Sequence, residues 1–386
     1  MANASVAQTK SYSKRRMRNS NFEVLRIVSM FLITLFHFPW DNVNIAVGSD
    51  PLSSTIISNT AAFLTNWGSF GNTLFFILSS WFLCEEQQSL KKNLHRVWLM
   101  ELQLIFYAWC IVAFDYFILH IPYHGTEWIH VLFPFATGGW WYVTGYGLFL
   151  FVAPFLTLGL RKIGPKNHLL LASSLLLIYG FTPSRTFIID MPACALVFVY
   201  LYTIMSYIRW YIPELLESRK AAIILIIFGV VFGFVYQGLL SKIISVDWWL
   251  FHTRNATSLA ISLGLIILAI NRPETHSRIV NKLASATLGV FLIQVSSLGK
   301  RYSVFTSSSA LGNAIGARLL LLDLLLAVVF FVVCIAFDLL RQVIFTFTVD
   351  KVEAKPFTWL YQNIRKLFYT TSHKIILLNK TIESEK

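Results

Sequence analysis

The chain has 386 residues, 56% hydrophobic, 16% aromatic and only 13% charged, with a mean hydropathy of +0.63 and a formal net charge of +13. One core cannot hide that much apolar surface, which excludes a soluble globular domain. Continuous apolar blocks such as 221–240 approach the roughly 20 residues a helix needs to cross the hydrocarbon layer, whereas a β-barrel would alternate apolar and polar residues. The expected fold is an all-α, polytopic integral membrane bundle.

In chain order, a basic segment (residues 1–18) precedes ten candidate spans at 22–40, 66–84, 97–119, 141–160, 168–182, 191–209, 221–240, 256–271, 283–298 and 318–340. Segment 168–182 is short and 256–271 is weakly marked at its start, so either is open to being tilted or re-entrant. The cations test this count, because short cytoplasmic loops carry excess Lys and Arg. With the N-terminus inside, 25 of the 32 Lys and Arg fall on the cytoplasmic side. Six fall outside: Arg185, Lys242, Arg254, Lys300, Arg301 and Arg318. Arg26 lies within the first span. Every second loop is basic, as an even number of spans with both termini cytoplasmic requires. The +13 therefore records orientation, and no nucleic-acid partner is expected.

The first apolar stretch has no small-residue cleavage site and ends on Phe38, Pro39 and Trp40, so it reads as a retained anchor. Cys84, Cys110, Cys194 and Cys334 lie in or beside spans and show neither a disulfide framework nor metal-ligand spacing. The division expected is 1–18, a transmembrane domain over 19–345, and a basic tail over 346–386. Phe357, Trp359, Leu360, Ile364, Leu367 and Phe368 alternate there with Lys355, Arg365 and Lys366, the pattern of an amphipathic helix on the inner leaflet; a disordered basic tail fits as well.

Ionisable residues inside a membrane helix cost several kcal/mol unless they face a polar interior. The first span carries Glu23, Arg26 and His37. Glu23 and Arg26, three apart, can pair. Arg26 and His37, eleven apart, fall within about 20° on one helical face and about 16 Å apart along the axis. Singly, Arg26 reads equally as a snorkelling anchor and His37 as an interfacial residue. On one face together, they favour a functional channel or cleft. Asp115, Glu101, Asp323 and Asp338 also lie in or near spans, and Glu101 and Asp323 are expected to pair with arginines on neighbouring helices.

Residues 19–37, NSNFEVLRIVSMFLITLFH, resemble the opening helix of the membrane acyltransferase 3 family, an Asn-x-x-x-hydrophobic-Arg helix with His after ten intervening residues. GNTLFFILSSWFL at 71–83, WWYVTGYGLFLFVAPFL at 140–156 and SATLGVFLIQ at 285–294 are similar to later segments of that family, in the same order. There are departures. Ser80 replaces a glycine, Phe291 and Gln294 replace Tyr and His, and of the family's arginine cluster after the second span only Arg96 is matched, beside Lys91, Lys92 and His95.

The resemblance implies a membrane-bound O-acyltransferase that takes an acetyl group from acetyl-CoA, a substrate rather than a bound cofactor, to a hydroxyl of a cell-surface or lipid-linked polysaccharide. Membrane lipids and polysaccharide-synthesis proteins would surround it in a bacterial plasma membrane. His37 would act as general base or acyl carrier, since neutral imidazole serves both near its unperturbed pKa of about 6.5. Glu23 would orient Arg26, while Arg26, Arg96 and Lys92 would hold the donor phosphates. Trp141, Tyr142 and Asn255 are acceptor-site candidates. For Trp140 to Tyr142 an aromatic belt at the outer boundary is the plainer reading, and for Asn255 helix capping. A polysaccharide transporter or flippase stays open as the alternative, although no duplicated half or matched pair of broken helices is visible.

Overall fold

A computed structural model describes residues 18–46, 70–181, 194–243, 255–296 and 317–367. Lys10 to Arg16, Arg185, His252, Arg254, Lys300, Arg301 and the tail beyond 367 lie outside the described residues, as do the side chains of Phe38 to Ala46, Lys242, Arg318 and Asp323.

Every regular element among the described residues is helical. In chain order they are α1 (Ser20–Ala46), α2 (Phe70–Leu83), α3 (Leu90–Phe117), α4 (Glu127–Leu132) and α5 (Trp141–Leu175, prolonged by a π-turn over Leu176–Gly180). Then follow α6 (Cys194–Tyr211), α7 (Pro213–Glu217), α8 (Arg219–Ile243), α9 (Ala256–Ile270), α10 (Arg278–Ser285), α11 (Thr287–Gln294), α12 (Ala317–Phe347), α13 (Val349–Val352) and α14 (354–367). Among the described residues, four stretches are long and apolar enough to cross a membrane: Ser20–His37, Leu90–Phe117, Trp141–Gly180 and Leu324–Val352.

The third of these is a hairpin. Gly164 adopts φ 75°, ψ 171°, a left-handed backbone that only glycine takes without strain, and Pro165 then starts a second leg. On the first leg, Tyr142 packs on Phe198, Phe149 on Tyr202 and Arg161 on Trp210, so this leg runs parallel to α6. On the second, His168 meets Tyr211 and Gly180 meets Tyr200, so it runs back antiparallel. The separate 141–160 and 168–182 segments expected from sequence are these two legs.

The start of α1 is tied to the α9–α10 connection. Ser20 N donates to Thr275 O (2.7 Å), Ser277 N donates to Ser20 Oγ (2.7 Å) and Asn21 Nδ2 donates to Pro273 O (3.0 Å). These bonds satisfy backbone groups that a helix terminus otherwise leaves unpaired. On its other side α1 is crossed by α2 at Gly71, where a Cβ would stand 2.5 Å from Ser29 O. Below the contact of α3, α11 and α12, Asp338 is fully buried and saturated. Arg341 Nε (2.7 Å), Tyr107 Oη (2.8 Å) and Gln342 Nε2 (2.9 Å) all donate to its carboxylate.

Two expectations are corrected between α3 and α5. Among the described residues Glu101 meets no arginine; its Oε2 accepts the backbone N–H of Phe135 (3.2 Å). Glu101 lies sixteen residues before the outer end of α3, on the order of 20 Å below it. The segment from 118 to 139 therefore dips back into the bundle. Its turn is fixed by Tyr123 Oη donating to Asp115 (2.7 Å) and Thr144 Oγ1 donating to Phe135 O (3.0 Å). As a result α5 starts deep. Trp140 and Tyr142 are buried rather than forming a belt at the outer boundary, and Trp140 Nε1 donates to Leu292 O (2.9 Å).

Candidate functional site

Because α1 is one unbroken helix from Ser20 to Ala46, Arg26 and His37 share a face, with the histidine about 16 Å further out. Glu23 is 4% exposed. A carboxylate buried to that degree needs a close cation, and Arg26 Nη1 donates to its Oε2 at 2.6 Å, with Arg18 4.0 Å from its other oxygen. The Arg26 side chain stays 20% exposed, so one part of the guanidinium is held and the rest remains accessible.

A second cationic group lies on the connection from α2 to α3. Glu86 accepts hydrogen bonds from both Lys92 and Arg96, and Arg96 Nη1 also donates to Asn93 Oδ1 (3.2 Å). Asn93 in turn donates to Leu150 O (2.9 Å), which ties the start of α3 to the first leg of α5. Burial alone would raise the Glu86 pKa, but the bonds and charges of Lys92 and Arg96 outweigh it and hold the carboxyl below its ordinary value. Glu86 thus stays anionic and fixes both cations in place.

Tyr146 joins the two groups. Its ring packs on Phe76, Phe149 and Phe198, and its hydroxyl lies near Ser79 of α2, within electrostatic reach of Arg96, Arg26 and Glu86. Three helices thereby bring Arg26, Arg96 and Tyr146 into one neighbourhood toward the end of the bundle where α1 and α3 begin. Neither Tyr146 nor Glu86 was singled out from sequence. Tyr146 is one of fifteen tyrosines, and Glu86 follows a span where an acidic residue reads as solvated.

Thr34 Oγ1 donates to Gln294 Oε1 (2.8 Å), and both residues are buried. Thr34 lies one turn below His37 on α1. His37 is half-buried, its ring edge-on to Phe36 with centroids 5.0 Å apart. Tyr142 packs on Phe75, Phe198 and Phe291, and Trp141 is half-buried against Tyr142. With Trp140 bonded to Leu292, the start of α5 is brought beside α11 and so toward the upper half of α1.

Asn255 caps the outer end of α9 without a capping side-chain bond. Asn21 Nδ2 donates to Ala269 O (3.4 Å) near the inner end of that helix. Counting fourteen residues up α9 and sixteen up α1 gives about 21 and 24 Å, so Asn255 and His37 reach similar heights. Lys92 is 47% exposed and belongs to the rim rather than the interior.

The arrangement is a cationic floor at the end where α1 and α3 begin, fixed by two carboxylates, with an imidazole about 16 Å further along α1. It can hold an anionic group below and move a proton above. No curated protein and no solved structure matches the chain. A family model describing an acyltransferase domain does match, over residues 19–351, and the chain belongs to the acyltransferase 3 family of membrane acyltransferases.

Proposed function

We propose that this protein transfers an acetyl group from acetyl-CoA to a hydroxyl of a cell-surface or lipid-linked polysaccharide. It would do so as a multi-pass protein of the plasma membrane with both termini cytoplasmic. The observation that carries this is the unbroken α1, with the ion-paired Arg26 near its foot and His37 on the same face about 16 Å above. Coenzyme A is polyanionic, and the cytoplasmic floor of Arg26, Arg96 and Lys92 suits its phosphates. Its flexible arm then follows α1 outward and delivers the thioester to His37.

The acceptor meets it from the outer side, where half-buried Trp141, backed by the buried Tyr142, and Asn255 would face the sugar. The acceptor oxygen attacks the thioester carbon while neutral His37 takes the hydroxyl proton. The new C–O ester bond forms, the C–S bond breaks, and the proton passes from His37 to the departing thiolate. General-base assistance of this kind contributes about 10²–10⁴-fold. Glu23 holds Arg26 in place by the ion pair described above.

The test is the acetyl content of the surface polysaccharide in cells carrying His37→Ala at wild-type protein levels. Polymer that is still exported but lacks acetyl groups is expected. Unchanged acetylation with export lost would instead make the protein a transporter.

A further inference from the structure

The opening of α3 faces α14 across a cleft of about 280 Å³, lined by Ser89, Lys91, Lys92, His95, Phe357 and Thr358. α14 lies outside residues 19–351, so this wall is not part of the matched acyltransferase domain. Two contacts hold it. His95 Nε2 is 3.0 Å from Glu353 Oε2, with its ring centroid 4.7 Å from that of Phe357, and Lys91 Nζ stands 5.7 Å from the centre of the Tyr361 ring. Phe357 is buried toward α3, whereas Trp359, Leu360, Ile364 and Leu367 are exposed on the remaining apolar arc. That arc suits the inner leaflet, which would keep α14 in place as a wall.

The lining brings together ammonium groups, an imidazole, two hydroxyls and the ring of Phe357, which stacks with Tyr361 at 6.1 Å. Ammonium and hydroxyl groups recognise a phosphate. Aromatic faces add nothing for a bare phosphate, but they receive a flat base attached to one. The rim carries one carboxylate, Glu353, which is engaged by His95. The cleft is also continuous with the donor floor: Lys92 lines it and bonds to Glu86, which bonds to Arg96.

We infer that this cleft binds the phosphorylated adenosine end of the coenzyme A donor, with the 3′-phosphate on Lys91 and the Ser89 hydroxyl and the base against Phe357. This rests on acetyl-CoA being the donor. The far end of the donor is then gripped between the family domain and α14, while its diphosphate lies on Lys92, Arg96 and Arg26.

The experiment measures equilibrium binding of acetyl-CoA and of 3′-dephospho-acetyl-CoA to the full chain in nanodiscs of neutral lipid. The wild-type protein should prefer the 3′-phosphorylated donor by about tenfold or more, the worth of one or two charge-assisted bonds. Lys91→Ala should erase most of that preference while leaving affinity for the dephospho form unchanged, which also shows that the variant is folded. Phe357→Ala should weaken both donors. Equal affinity of the wild type for the two donors, or a preference that survives Lys91→Ala, overturns the assignment. So does a Lys91 effect seen only when anionic lipid is added, because the cleft then serves a lipid headgroup. If the wild type binds neither donor, acetyl-CoA itself is excluded and the proposed function fails along with this site.

Discussion

Replacing Gly71 by alanine perturbs the contact that sets α1 against α2. A Cβ at this position would lie 2.5 Å from Ser29 O, 2.9 Å from Ile33 Cγ1 and 3.2 Å from Ile33 N. Ordinary contact needs about 3.4 Å, so the two helices must part by roughly 0.9 Å, a gap that forfeits a quarter to a half of each facing dispersion contact. Overpacking of this kind costs about 1–3 kcal/mol. The displaced backbone belongs to the helix that carries Arg26 and His37, and a misplacement of about 1 Å at a reacting group can cost on the order of 10²-fold in rate. Gly71→Ala should therefore lower the melting temperature in detergent and reduce polysaccharide acetylation far more than the loss of folded protein explains. The nearest obstacle is the Ser29 backbone carbonyl, so trimming Ile33 to alanine in the same chain should not restore activity. Wild-type acetylation in Gly71→Ala, or full rescue by Ile33→Ala, would refute the argument.

Other outcomes follow from the charged groups. Arg26→Ala should weaken acetyl-CoA binding about 10- to 100-fold, the range of one charge-assisted contact, and unaltered affinity would remove Arg26 from the donor site. The Glu86 carboxyl is held below its ordinary value of 4.5, so its contribution to stability is fully present above that pH and is lost as pH falls through the lower folded value. Hydrogen exchange at residues 84–92 should stay slow at neutral pH and rise only in acid, whereas Glu86→Gln should open this segment at neutral pH and abolish the dependence. Asp338→Leu strands the buried Arg341 and should cost about 3–5 kcal/mol, with Arg341→Met in the same chain recovering most of it. Equal thermal stability of the single and double variants would contradict that.

The helical bundle, the α1 stripe and the separation of 141–160 from 168–182 were legible because each is written in local pattern: apolar runs, an eleven-residue spacing, and a basic connection. The dip of residues 118–139 was not. Its anchor, Glu101, takes a backbone N–H, and every residue has one, so nothing in the side-chain sequence marks the partner. A charge inside a span suggested a cation, and the true acceptor geometry appeared only once the chain folded back. The same dip explains Trp140 and Tyr142, which read as a boundary belt but lie inside. The floor of the site was half legible. Arg26, Arg96 and Lys92 stood out as cations, while Tyr146 and Glu86, which join and fix them, have no distinguishing spacing and are brought in by tertiary packing alone.

The decisive measurement is transfer of labelled acetyl from acetyl-CoA to polymer in membrane vesicles containing His37→Ala. Loss of transfer by about 10²–10⁴-fold with acetyl-CoA affinity unchanged is expected if the imidazole takes the acceptor proton above an intact donor floor. Transfer at the wild-type rate would show that the chemistry happens elsewhere.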